Sequence, residues 1–230
     1  NYDNIPTLLI DASGSVKIPF RDIGKVVTQY DIVNNDNVMM KMLDIIIRDI
    51  PEKSFHVLFW NSNQEGMNTG LNGFFKKGIW KLDYIVDKHQ LTTIFKMVVN
   101  NINNQCLTFS HLAFSSIPAS WLNSDVNKIY YITDGQIGYG NASNFVKQQL
   151  HNDFSNSVNN IFNNYQNVIL SIITVEPKYK NFNNVEELTS SAGSDVYKII
   201  TEKKLTNFIT RFTSYNLSYN NGYDHINRNI

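Results

Sequence analysis

A three-layer α/β fold is what the sequence predicts, with helices on both faces of a mostly parallel six-stranded central sheet and one antiparallel edge strand. Three observations predict it. The apolar runs are β-branched and near-continuous rather than alternating, as parallel strands buried on both faces require. Between them lie segments whose apolar residues recur at three-and-four spacing, the mark of a helix with one buried face. The two patterns alternate along the chain, which implies right-handed crossovers between parallel neighbours. The fold class is therefore Rossmann-like.

Taken in order, "TLLID" (Thr7 to Asp11) reads as the first strand. Met39, Met42, Leu43, Ile46, Ile47 and Ile50 repeat at helical period, and Pro51 ends the run. "FHVLFWN" (Phe55 to Asn61) is a second strand, and "GIWKLDYIV" (Gly78 to Val86) alternates as an edge strand would. Leu91, Ile94, Phe95, Val98, Val99 and Ile102 mark a helix, and looser helical patterns cover His111 to Leu122 and Ala142 to Asn164. "KIYYITDG" (Lys128 to Gly135) and "NVILSIITVEP" (Asn167 to Pro177) are further buried strands. A helix over Val185 to Ser191, a weaker strand "DVYKII" (Asp195 to Ile200) and a helix over Leu205 to Tyr215 complete the pattern. No internal repeat or linker divides it, so residues 1–217 read as one domain and 218–230 as a polar, flexible tail. Two insertions interrupt the alternation, Lys17 to Asn37 and Asn61 to Gly73.

With 230 residues the chain is long enough to bury a substantial core. Its formal net charge of +0 gives no field that would favour nucleic acid or an anionic membrane, so direct nucleic-acid binding is not expected. A single cysteine, Cys106, excludes an internal disulfide framework and a cysteine-rich metal site. No apolar run approaches the roughly 20 residues of a membrane span, and no signal-like segment opens the chain. These features lean toward an intracellular setting. Runs such as "IVNNDNV" and "NNIFNNY" supply turns and caps, and their abundance points to an AT-rich genome.

Two central strands end in oxygen-rich segments, "DASGS" after the first and "TDGQ" after "IYYI". In an open parallel sheet, ligands bind at the carboxyl ends of the strands, near the reversal of strand order. The residues offered there are Asp11, Ser13, Ser15, Thr133 and Asp134. Hydroxyls and carboxylates without neighbouring His or Cys suit a hard cation such as Mg2+ or Mn2+. Alternate spacing lets a tight turn aim Asp11, Ser13 and Ser15 at one point, with Gly14 permitting the bend.

A third segment, "CLTFSHLAF", places Thr108 just before a helix. Asp-x-Ser-x-Ser, a mid-chain Thr before a helix and a later Thr-Asp-Gly after a strand together resemble the von Willebrand factor A domain and its metal-ion-dependent adhesion site. The stretch from "NVILSIITVEP" to "KKLTNFITRF" is similar to that family's closing strand, helix, strand and final helix, so the resemblance runs from about Ile5 to Tyr215. It implies that Ser13, Ser15 and Thr108 coordinate the metal by hydroxyl, while Asp11 and Asp134 act mostly through water or hold the hydroxyls. It also implies a protein partner whose Asp or Glu fills the open coordination position. The chain departs from the family in the bulky Cys106-Leu107 before Thr108, and in the length of Lys17 to Asn37, which could lend partner specificity or cover the metal.

The function expected is thus a metal-dependent protein–protein interaction module rather than an enzyme. The alternative is a scaffold subunit of an intracellular assembly, nucleic-acid-handling or viral, in which the metal is structural. A Mg2+-dependent hydrolase ranks behind both. Phosphatases of the haloacid dehalogenase type need a second Asp two positions after the first, and here that position is Ser13. No Gly-x-Ser-x-Gly elbow or phosphate-binding glycine fingerprint occurs. His111 is read as capping or packing, Trp60 and the Met39, Met40 and Met42 group as core, and Cys106 as a buried, inert thiol.

Overall fold

Thr7–Asp11 form β1, and all five residues are buried, so the strand lies between two layers. The structure is a computed structural model and describes residues 4–17, 37–62, 65, 75–102, 110–133, 142–176, 209–216 and 225–228. The strands that follow are β2 (Ser54–Trp60), β3 (Ile79–Lys81), β4 (Val86–Asp87), β5 (Asn127–Thr133), β6 (Val168–Glu176), β7 (Ile209–Asn216) and β8 (His225–Arg228). The helices are α1 (Val38–Asp49), α2 (Leu91–Asn101), α3 (Ser110–Ser115) and α4 (Asn144–Asn164).

The sheet runs in the order β3-β2-β1-β5-β6-β7-β8, with β4 also on β2. Strands β2, β1, β5, β6 and β7 are mutually parallel. Pairings with β3, β4 and β8 are antiparallel. The predicted α/β class therefore holds, with the helices sorted onto two faces. Leu8, Ile10, Val57 and Phe59 pack against α1 and α2 through Met39, Leu43, Ile46, Phe95 and Val98. Leu9, Leu58, Ile129, Tyr131, Leu170 and Ile172 pack on the other face with Phe114, Phe154 and Val158. Alternate residues of β1 serve opposite layers because successive strand side chains point to opposite faces.

Local chemistry sets the helix ends. The Asn37 side chain accepts from Met40 N–H at 3.0 Å and caps α1. Ile50 donates to the Ile46 carbonyl before Pro51, which has no N–H with which to continue. Ser143 caps α4 by accepting from Val146 N–H at 3.3 Å. Among the described residues no helix is long and apolar enough to cross a membrane.

Several expectations are corrected. The sheet has eight strands rather than six, and antiparallel strands lie at both edges rather than one. The segment expected as a single edge strand, Gly78 to Val86, is divided into β3 and β4. His111 to Leu122 is not one helix: α3 stops at Ser115, Pro118 intervenes, and a 3-10 turn covers Ala119–Leu122. Leu205 to Tyr215, expected as the closing helix, contains β7 instead. Its sequence "ITRFTSYN" is rich in β-branched and aromatic residues, and it extends the sheet beside β6. Within 218–230, expected as a flexible tail, His225–Arg228 form β8 on that strand. The expected helix at Val185 to Ser191 and strand at Asp195 to Ile200 lie outside the described residues.

Candidate metal centre

The chain passes from β1 to β2 on one side and later returns to place β5 on the other. Strand order therefore reverses between β1 and β5, the position at which open α/β sheets form a crevice. Ile10 pairs with Ile132, so the next residues, Asp11 and Thr133, end the two strands side by side. Asp11 is fully buried. One carboxylate oxygen accepts the Thr133 hydroxyl at 2.7 Å, and the other accepts the Ser13 N–H at 2.8 Å. The second bond closes a tight Asp turn that bends the chain out of the strand.

Beyond that turn a 3-10 segment, Gly14–Lys17, carries the chain away from the strand end. Its start is fixed from both sides. Ala12 N–H donates to the Trp60 carbonyl at 2.8 Å, and the Asn61 side-chain amide donates to the Ala12 carbonyl at 3.3 Å. Asn61 is itself held by donating its N–H to the Gly78 carbonyl at 2.8 Å. The Ser13 and Ser15 hydroxyls thus approach to 3.1 Å and hydrogen-bond to each other. Ser13 is buried, whereas Ser15 is exposed. The turn thus brings the Ser13 and Ser15 hydroxyls together, while the Asp11 carboxylate meets the Ser13 N–H and the Thr133 hydroxyl.

Hydroxyl and carboxylate oxygens are the donor type that a hard cation takes. Two adjacent ligands of an octahedral ion, each about 2.1 Å from it, sit roughly 3.0 Å apart, close to the observed hydroxyl separation. The donors are all oxygen, and among the described residues no three His, Cys, Asp or Glu side chains gather at one point. Asp11 supplies one negative charge, already shared between two hydrogen-bond donors.

Of the other residues singled out, Thr108, Asp134 and Cys106 lie outside the described residues. Trp60 is core, fully buried and stacked on Tyr131 at 4.9 Å between ring centroids. Met39, Met40 and Met42 belong to the buried face of α1 and lie in the core. His111 is half-buried on α3. Burial lowers its pKa, opposed by the charge of Asp153.

Asn61, which with Trp60 and Ser62 ends a strand that the sequence can point to this rim, is fully buried and bonds to the turn, whereas the sequence gives no sign of a second residue. Lys17 reads as the first residue of an insertion, yet it is buried and donates its ammonium to the Ile102 carbonyl at 3.0 Å. Desolvation lowers its pKa. A lysine closing "SGSVK" carries no local sign of burial, because its partner is 85 positions away.

No family model matches the chain. An uncharacterized protein of Acanthamoeba polyphaga mimivirus is 38% identical to it over 224 residues, a match that covers 97% of this chain and 22% of that protein. The chain therefore spans less than a quarter of the length of the curated relative it matches.

Proposed function

We propose that this chain is a metal-dependent protein–protein interaction module, not an enzyme, built as a von Willebrand factor A-like domain. Ser13 and Ser15 hold Mg2+ or Mn2+ by their hydroxyls, joined by Thr108. Asp11 and Asp134 orient those hydroxyls and balance charge, and an Asp or Glu carboxylate of a protein partner completes the coordination. The observation that carries this reading is the hydroxyl pair, buried at Ser13 and exposed at Ser15, on the turn that the buried Asp11 carboxylate closes at the reversal of strand order. Hydroxyl ligands neutralise little of the ion's charge, so it keeps its attraction for an incoming carboxylate. The exposed Ser15 leaves a side from which that carboxylate can approach.

A second reading has its own support. Asp11 and Ser13 are almost wholly buried, which suits an ion whose role is to brace the strand ends. The similarity to a mimivirus protein favours a viral assembly as the setting. Here the domain is a scaffold subunit and the metal is structural.

Thermal unfolding and a pull-down separate the two. Millimolar Mg2+ or Mn2+ should raise the melting temperature of the wild type and leave Asp11→Ala unchanged. Under the interaction reading, Ser13→Ala/Ser15→Ala loses a partner that the wild type retains with Mg2+ and releases with EDTA. Retention of the same partner by both proteins, despite a metal-dependent melting temperature, would select the scaffold reading. Identical wild-type melting curves in EDTA and in Mn2+ would sink both.

A further inference from the structure

A pocket of about 460 Å³ opens at the end of the sheet away from the candidate metal centre. Asp11 and Trp60 close β1 and β2 at the centre, whereas the pocket is lined by Ser54, which begins β2, and by Asp87, its partner on β4. Pockets of roughly 300–1,000 Å³ are the size that takes small organic molecules. Three further linings are Lys53, Lys88 and His89. The Lys88 N–H donates to the Lys53 carbonyl at 2.7 Å, which fixes the two lysines as neighbours. The Lys88 ammonium donates to the carbonyl of Ile50, the residue capping α1, and keeps two of its three N–H groups for another acceptor. Lys53 and His89 are exposed, and their side chains have no hydrogen bond or ion pair among the described residues. The acids nearby are already engaged. Asp87 accepts from the Ser54 hydroxyl at 3.1 Å, and Glu52, next to Lys53 in the chain, accepts from Lys128 and Tyr130. Positive charge is thus in excess around the pocket, and a dianion meets it better than a single negative charge does.

We propose that this pocket binds a small organic phosphate monoester, with the phosphate among Lys53, Lys88 and His89 and the organic part against Ile47. Lysine ammonium groups are point charges suited to phosphate oxygens. A bare phosphate would leave most of the volume empty, so the ligand carries a body as well as a charge. Ile47 indicates the character of that body. It fits the helical period of the apolar stripe on α1, yet it is 45% exposed and forms part of the pocket wall. Covering it with a ligand removes apolar surface from water that the core leaves uncovered. The pocket and the metal centre lie at opposite ends of the strands and share no residue, so the site stands or falls independently of the centre.

The test uses the full chain in EDTA, so that no metal bridges to a phosphate, with affinity measured by titration calorimetry. The probes are adenosine monophosphate, glucose 6-phosphate and phenyl phosphate, each beside its parent alcohol, with inorganic phosphate as the common control. At least one ester should bind about tenfold or more tighter than both its alcohol and inorganic phosphate. Lys53→Glu/His89→Glu alters two exposed side chains and should keep the wild-type melting temperature while weakening that ester at least about tenfold, because attraction becomes repulsion. Ile47→Glu, which keeps a good helix former on α1, should weaken it as well. Three results overturn the inference: no ester binds at millimolar concentration, inorganic phosphate binds as tightly as every ester, or the double variant retains wild-type affinity. Should the double variant not fold, Lys53→Ala takes its place with the same expected direction and the same overturning result.

Discussion

Asp11 has two tasks in a fully buried position, bending the chain through Ser13 N–H and receiving the Thr133 hydroxyl. Asp11→Ala removes the acceptor of both hydrogen bonds, each worth about 1 kcal/mol. Urea unfolding without metal should therefore show a loss of about 2 kcal/mol, with less for Asp11→Asn, which keeps an acceptor. His56 gives a separate residue-scale prediction. It stacks on Trp121 with ring centroids 4.8 Å apart, and burial lowers its pKa from 6.5. The folded protein then binds its proton less readily than the unfolded chain does. Stability is full above pH 6.5 and declines as the pH falls from there through the lowered folded value. His56→Phe should flatten that decline in unfolding midpoints measured between pH 7 and 5. At this scale the sequence disclosed Asp11, Ser13 and Ser15, because a tight turn brings alternate residues together locally. It did not disclose the burial of Lys17, whose partner lies 85 positions away.

Helix α1 shows what an element reveals in advance. Its buried stripe and its stop at Pro51 are local features, and both are plain in the sequence. The Asn37 cap adds a prediction. Its Oδ1 accepts from Met40 N–H, while its Nδ2 is buried with no hydrogen-bond partner among the described residues. Asn37→Ala should cost about 1 kcal/mol in urea unfolding, whereas Asn37→Ser keeps an acceptor, drops the stranded amide and should fall within about 0.5 kcal/mol of wild type. Strand β7 is the opposite case. "LTNFITRFTSY" carries apolar residues that fit either period, and alone they read as a loose helix. Pairing with β6 on one side and β8 on the other makes it a strand, and such pairing partners cannot be read from a short window. The edges were under-counted for the same reason: β3, β4 and β8 have two to four residues each, too few for a period to show.

Across the whole molecule the two ends of the sheet differ in chemistry. At the end opposite the candidate centre, the Glu52 carboxylate accepts from Lys128 at 3.0 Å and from the Tyr130 hydroxyl at 2.8 Å, reaching across β1 to β5. Burial pushes its pKa up, but these hydrogen bonds and the Lys128 charge outweigh burial and bring it below 4.5. Glu52 therefore contributes stability that is complete above pH 4.5 and lost as the pH falls through its lowered folded value. Glu52→Gln should be less stable than wild type at pH 7, by no more than about 1 kcal/mol because Lys128 is well exposed, and should nearly match it near pH 3. Circular-dichroism melts at the two pH values check this.

The Asp11–Thr133 hydrogen bond joins residues 122 positions apart and can form only once β5 lies beside β1. While β1 and β2 are formed and β5 has not yet docked, the chain has no second wall for the crevice. Anything bound there is bound after the halves have met, and it must leave before or as they part. Such a ligand acts as a late lock on the finished sheet rather than a seed for it. In stopped-flow experiments a bound ion should slow unfolding and leave the refolding rate almost unchanged, as expected of contacts absent from the transition state.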